Sequence, residues 1–232
     1  MTPAQNVIFD LDGTLIDSAP VFVEILNEML AERRSSRCVG LPEIRQFASL
    51  GGPALVGGVL AQECGDLRHE VADFRARYAL FRTPVDSLYE GVAEGVKELT
   101  AHGYRLAICS NKPQQLCEKV ISDVGLTSHF PVIVGSSPDR MSKPAPDLME
   151  RVLSGLDTTA ADCVYVGDSE IDHALAEATG VRFIFVTYGY ATDQFSAGQH
   201  KRFSRFSDLV RLLKDERDFL QTTSGAASKG RG

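Results

Sequence analysis

Five short runs, at residues 7–10, 105–110, 131–136, 163–168 and 183–188, string valine, isoleucine and phenylalanine together with almost no polar alternation. A strand with one wet face alternates. A strand covered on both faces does not, and that is the pattern of a parallel sheet held between two layers of helices. Helical patterns fill the spaces: EGVAEGVKELTAHG before the second run, QLCEKVISDVG before the third, APDLMERVLSGL before the fourth and DHALAEATG before the fifth. Gly103, Gly125, Gly155 and Gly180 stand where those helices should stop. The alternation predicts an α/β fold, a doubly wound, Rossmann-like parallel sheet.

The spacing is uneven. Later runs start roughly 20 to 30 residues apart, as strand-helix-strand units do, whereas residues 11–104 separate the first run from the second. That gap is itself helical: apolar residues recur at Phe22, Ile25, Leu26, Met29 and Leu30, and again at Leu67, Val71, Phe74, Tyr78 and Phe81. The economical reading is an α-helical cap domain at 17–82 inserted into a core made of 1–16 and 83–221. The chain returns at RTPVDSLYEG, rich in turn formers. At 232 residues it is long enough for a core and a smaller inserted domain. Within the insertion, ASLGGPALVGG (48–58) carries too much glycine for a helix throughout and predicts a loop dipping toward the site. Arg45 beside it is placed to meet a second anionic group on a substrate. The tail at 222–232, TTSGAASKGRG, has little that can pack and predicts disorder.

Burying a carboxylate is costly unless it is paired or binds a metal. Yet the first run ends in Asp10 and Asp12, and the fourth ends in Asp168, with Asp172 shortly after. The second ends in Ser110, Asn111 and Lys112, and Lys143 follows the third. The carboxyl ends of the strands are where doubly wound sheets bind ligands. Asp10 and Asp12, two apart in extended chain, can point to one side, and Gly13 lets the backbone turn away at once. With Asp168 adding a third oxygen, they suit a hard cation such as Mg²⁺. With that metal and Lys143 neutralising a phosphate, one carboxylate can attack phosphorus while the other moves the proton. Ser110 and the amides of Asn111 and Lys112 are expected to open a helix, with Pro113 in its first turn, and to hold phosphate oxygens. The plainer readings are a capped turn for Asp10 and Asp12, and helix caps for Ser110, Asp168 and Asp172. Four polar strand ends converging on one edge weigh against them.

Composition narrows the partners. The net charge is -7 with lysine and arginine scattered, which leaves no basic footprint for nucleic acid. No apolar run approaches the roughly 20 residues of a membrane span, and the start, MTPAQN, shows neither the basic nor the apolar stretch of a leader. Five cysteines form no CxxC pair, and Cys109 and Cys163 read as small buried thiols. These features predict a cytoplasmic protein and leave monomer or homodimer open; with the acids and Lys143 above, the expected partner is a small phosphorylated metabolite.

DLDGTLIDS at the first strand end, Ser110 at the second, SKPAP and GDSEID resemble, in that order, the four motifs of the haloacid dehalogenase superfamily. The resemblance covers nearly the whole chain. It implies that Asp10 is the nucleophile and a Mg²⁺ ligand, with an aspartyl-phosphate intermediate. Asp12 would be the general acid and base and would lend its backbone carbonyl to the metal. Ser110 and Lys143 would hold the transferring phosphoryl group, Asp168 would complete the metal site, and Asp172 would order it or bind through water. The inserted helices resemble the family's cap, which closes over the site.

Departures choose among that family's activities. Dehalogenases in it lack the second aspartate, which is present here as Asp12. The phosphonate-cleaving branch needs a cap lysine, and residues 1–96 contain no lysine. The same lack, with His69 as the sole cap histidine, weakens a sugar-phosphate mutase. A phosphomonoester hydrolase of phosphoglycolate phosphatase type is the expectation. A sugar phosphatase, a pyrophosphatase, a mutase and an idle phosphometabolite-binding protein are its alternatives.

Overall fold

The five apolar runs lie side by side. In a computed structural model, which describes all residues except 1–4, 192–194, 196–197, 199 and 229–232 and the side chains of 219–228, they form the parallel strands β1 (Asn6–Phe9), β2 (Arg105–Pro113), β3 (Val132–Ser136), β4 (Cys163–Gly167) and β5 (Arg182–Val186). A sixth parallel strand, β6 (Lys201–Phe203), completes the sheet in the order β3-β2-β1-β4-β5-β6. Sequence reasoning misses β6 because its three residues, KRF, make no apolar run.

Both faces of the sheet are covered, which explains the missing alternation. Val7, Phe9, Leu106, Ile108, Val164 and Val166 join one buried cluster with α5 (Val92–Ala101), α6 (Gln114–Asp123) and α9 (Phe206–Ser228). Ile8, Ala107, Cys109, Cys163 and Tyr165 join the other, with α7 (Asp147–Gly155) and α8 (Glu170–Thr179). Consecutive residues of β1 thus serve opposite layers, as the pleat requires. Gly103, Gly125 and Gly180 take positive φ at helix ends as expected, whereas Gly155 is the last residue of α7 and the turn falls to Asp157, at φ 48°. The backbone of α9 continues helical to Ser228, through the start of the tail expected to lack structure, and 229–232 lie outside the described residues.

The insertion between β1 and α5 holds α1 (Ala19–Glu32), α2 (Leu41–Ala48), α3 (Gly52–Leu60) and α4 (Leu67–Leu80). It leaves and re-enters through adjoining chain: Ile16 bridges Leu88, Asp17 N donates to Ser87 O at 2.8 Å, and Tyr89 N donates to Leu15 O at 3.1 Å. The helix is indeed broken within 48–58, but the loop is short: α2 ends at Ala48 and α3 is helical from Gly52, leaving residues 49–51, of which Ser49 and Gly51 line a cavity that Asp10 also lines. Burial of Leu55, Val56, Val59 and Leu60 outweighs the low helix propensity of the glycines in α3. Among the described residues, no helix is long and apolar enough to cross a membrane.

Candidate active site

The acids fall where the strands end. Asp10 follows β1 directly, its amide donating to Val166 O of β4 at 2.9 Å, and it is buried. Asp168 follows β4 and is buried as well. Its Oδ2 accepts from Tyr190 N at 2.6 Å and its Oδ1 from Thr14 Oγ1 at 3.0 Å. Two glycines make room for it: a Cβ on Gly13 or on Gly189 would sit 2.2 Å from Asp168 Oδ2. Gly13 also has φ +88°, a conformation that L side chains rarely adopt.

Asp172 lies in the first turn of α8, where it and Ser169 form a capping box, so the capping reading of Asp172 holds. The same side chain does more than cap. Its Oδ1 meets Lys143 Nζ at 2.7 Å and accepts from Tyr165 OH at 2.6 Å. Lys143 Nζ also lies 2.8 Å from Asp10 Oδ1, so one buried ammonium bridges two carboxylates. Asn111 fixes the loop that carries this lysine: Lys143 N donates to its Oδ1 at 2.7 Å, and its Nδ2 donates to Lys143 O at 3.1 Å. Its side chain is therefore spent on positioning Lys143.

Ser110 is buried and lines the same cavity, but it lies within β2, and α6 begins only at Gln114. The expected helix start at Ser110 does not form, because the backbone there still belongs to the sheet. Pro113, with ψ 140°, stands just outside the helix. Arg45, unlike Ser110, does not line the cavity. It pairs with Asp17 Oδ2 at 3.1 Å, and Asp17 in turn accepts from Tyr190 OH at 2.8 Å.

The electrostatics separate the acids. Burial pushes the Asp10 carboxyl up to about 7, against the pull of Lys143 and with help from the charge of Asp172. Burial, then the charges of Asp172 and Asp10, hold Asp168 well above the carboxylate range. For Asp172 burial acts in the same direction, but the charge and hydrogen bond of Lys143 and the bonds from Tyr165 and Ser169 win, and it is lowered. Lys143 stays above its ordinary value although burial opposes its charge, because Asp10 and Asp172 face it.

Asp10, Asp168 and Asp172 each bring one oxygen to a common point, all within 4.8 Å of one another and all buried. Ionised together, the three acids carry three negative charges against the single charge of Lys143. Asp10 Oδ1, though close to Lys143, receives no well-aligned hydrogen bond among the described residues. Surplus negative charge, buried oxygen donors and an orphaned lone pair fit a hard divalent cation.

Asp12 is set apart from that cluster. Lys112 Nζ reaches its two oxygens at 2.8 and 3.0 Å, and Ser18 Oγ donates to it. The Lys112 side chain was absent from the sequence expectations, which used only its amide. Nothing in SNKP says that this lysine turns inward under Tyr78 and Phe22 of the cap, whose ring centroids lie 4.2 and 5.3 Å from its Nζ. Asp10, Asp12, Ser110 and Lys143 open onto one small cavity of about 60 Å³, closed on the other side by Phe22, Leu55, Phe74, Arg75 and Tyr78 of the insertion.

Residues 7–186 match the family described as haloacid dehalogenase-like hydrolase. The chain is 36% identical to a phosphoglycolate phosphatase of Cereibacter sphaeroides, over 90% of this chain and 97% of that one. It is 38% identical to a phosphoglycolate phosphatase (plasmid) of Cupriavidus necator, over 82% and 83%. The fold matches the crystal structure of a predicted phosphoglycolate phosphatase from Haemophilus somnus with a TM-score of 0.82 at 23% identity, covering 91% of this chain and 99% of that one.

Proposed function

The chain belongs to the haloacid dehalogenase-like hydrolases, and from that membership we propose that it is a Mg²⁺-dependent phosphatase of a small phosphomonoester, with 2-phosphoglycolate the leading substrate. The observation that carries the reading is the pairing of Asp10, at the floor of a small cavity, with Asp12 two residues on and Lys143 at 2.8 Å. The names of the relatives support the substrate.

In this reading an Asp10 oxygen attacks phosphorus, and the bond from phosphorus to the substrate's alkyl oxygen breaks as Asp12 hands that oxygen a proton. Water then attacks the phosphorus of the acyl phosphate, Asp12 takes its proton, and the bond to Asp10 breaks to release phosphate. Lys143 and Ser110 hold the phosphoryl oxygens. Asp10, Asp168 and the backbone carbonyl of Asp12 would hold Mg²⁺, with Asp172 ordering them. The ion, when bound, supplies positive charge to the phosphoryl oxygens and to the buried acids. The helices of 17–82 act as the cap that keeps bulk water out. Five free cysteines fit a reducing, cytoplasmic setting.

The test is phosphate release from a panel of phosphomonoesters with Mg²⁺ and with EDTA, taking Asp10→Asn as the blank. One substrate far above the rest, dependent on both metal and Asp10, is expected. A flat, metal-independent background would defeat the reading.

A further inference from the structure

The cations around the cavity are not equivalent. Lys143 faces Asp10 and Asp172, and Lys112 faces Asp12. Arg75, on α4, lines the same cavity and has neither an ion pair nor a hydrogen bond among the described residues; its Nε is buried with no partner. Its neighbours on the helix offer no relief, since Asp73 is engaged by Arg77. Arg75 is half-buried, and leaving the buried part of a cation without a partner is unfavourable; burial accordingly depresses its guanidinium. Such a group is kept unpaired where an incoming anion completes it.

What surrounds Arg75 points the same way. Ser49, Gly51 and Gly52 line the cavity beside it, and Arg75 Nη2 lies 3.7 Å from where a Gly52 Cβ would be. Gly51 precedes α3 with φ +88° and no side chain to cap the helix, so the first-turn amides are left for another acceptor. The remaining cap lining at Phe22, Leu55, Phe74 and Tyr78 is largely apolar. The cavity therefore has two poles. One, at Asp10 and Lys143 of the core, suits the phosphoryl group; the other, on the cap side, has a guanidinium without a counter-ion among the described residues.

Resting on the phosphatase reading, we propose that Arg75 is the substrate-binding residue that receives a carboxylate at the far end of the substrate, which makes the substrate class a short phosphorylated hydroxy acid. A planar guanidinium takes a carboxylate through two parallel hydrogen bonds. Arg45, the candidate that the sequence offers for this task, already has its anion in Asp17.

The test compares 2-phosphoglycolate with ethyl phosphate, its counterpart lacking the carboxylate, on the wild-type protein and on Arg75→Gln and Arg75→Lys. The wild type should prefer 2-phosphoglycolate in kcat/KM by about 100-fold or more, because a site built for a polar group rejects the analogue without it. Arg75→Gln should cut that preference at least about tenfold, chiefly through KM for 2-phosphoglycolate, and Arg75→Lys should restore part of it. Arg75→Gln should also melt no lower than wild type, since it removes an uncompensated charge. An unchanged preference in Arg75→Gln overturns the role of Arg75 while leaving the phosphatase standing. No hydrolysis of either ester by the wild type defeats both. Should Arg75→Gln fail to fold, the preference of Arg75→Lys decides: intact, it overturns the proposal; reduced, it supports it.

Discussion

Lys112 Nζ grips both carboxylate oxygens of Asp12, at 2.8 and 3.0 Å, from beneath the ring of Tyr78, whose centroid is 4.2 Å away. A strand of the core thus delivers the ammonium, the loop after β1 delivers the acid, and the cap provides the lid. Removing the ammonium leaves Asp12 partly buried without its cationic partner, with only Ser18 Oγ still donating to it. Lys112→Met is therefore expected to destabilise the fold by roughly 2–4 kcal/mol. It should also lower kcat by about 10²-fold through loss of aim. Denaturant unfolding and steady-state kinetics on one preparation check both, and wild-type values in both would show that the pair does nothing for Asp12.

The split between the two N-terminal acids makes a second prediction. Asp10→Asn should abolish turnover. In EDTA and above about pH 7, where the wild-type carboxyl is ionised, it should raise the melting temperature, because it replaces a buried charge with a neutral isostere. Asp12→Asn should keep metal affinity and lose about 10²–10⁴-fold in kcat. Full activity in Asp12→Asn would show that the proton moves through another group.

The raised acids give the metal-free protein a definite pH dependence. Asp10 titrates at about 7, against 3.8 for an ordinary aspartate, so the folded state keeps a proton that the unfolded chain loses. Stability from this group is full below about pH 4 and is lost as pH rises toward 7. Melting in EDTA should fall across that window. A cation needs the deprotonated acids, so Mg²⁺ affinity should rise over the same range, with protons released on binding. Calorimetry in two buffers of different ionisation heat counts those protons. A pH-independent affinity would mean that Asp10 and Asp168 are already ionised without metal.

Gly189 tests the position of Asp168. A methyl group there would lie 2.2 Å from Asp168 Oδ2 and 2.4 Å from Gly13 O, neither of which can yield cheaply. Gly189→Ala should weaken metal binding by about 10–100-fold, the range seen when the support of a ligand is disturbed. A Mg²⁺ titration followed by activity and by melting temperature reads it.

Much of this was legible in the sequence, for identifiable reasons. Doubly covered strands announce themselves by unbroken apolar runs, and buried acids at strand ends demand a partner, so Asp10, Asp168 and Lys143 stand together as the motifs imply. Three kinds of feature were hidden. β6 is too short and too polar to leave a pattern. The helix in ASLGGPALVGG depends on packing at Leu55 and Val59, which local propensity does not register. The inward turns of Lys112 and Arg75 depend on tertiary neighbours, Tyr78 and the cavity wall, that periodicity places on a helix face but not against a particular cation.

The adjoining exit and return of the insertion carry a further consequence. With Asp17 N and Ser87 O 2.8 Å apart, everything between them is, to the sheet, a loop whose ends are already closed. Lengthening, shortening or rewriting that loop changes its closure entropy only slowly and leaves the register of β1 against β2 and β4 untouched. If the proposed roles hold, the floor of acids and the roof of helices are therefore separable inheritances: a lineage could trade one substrate for another by redrafting the helices above, while the acids below stay in register with the sheet.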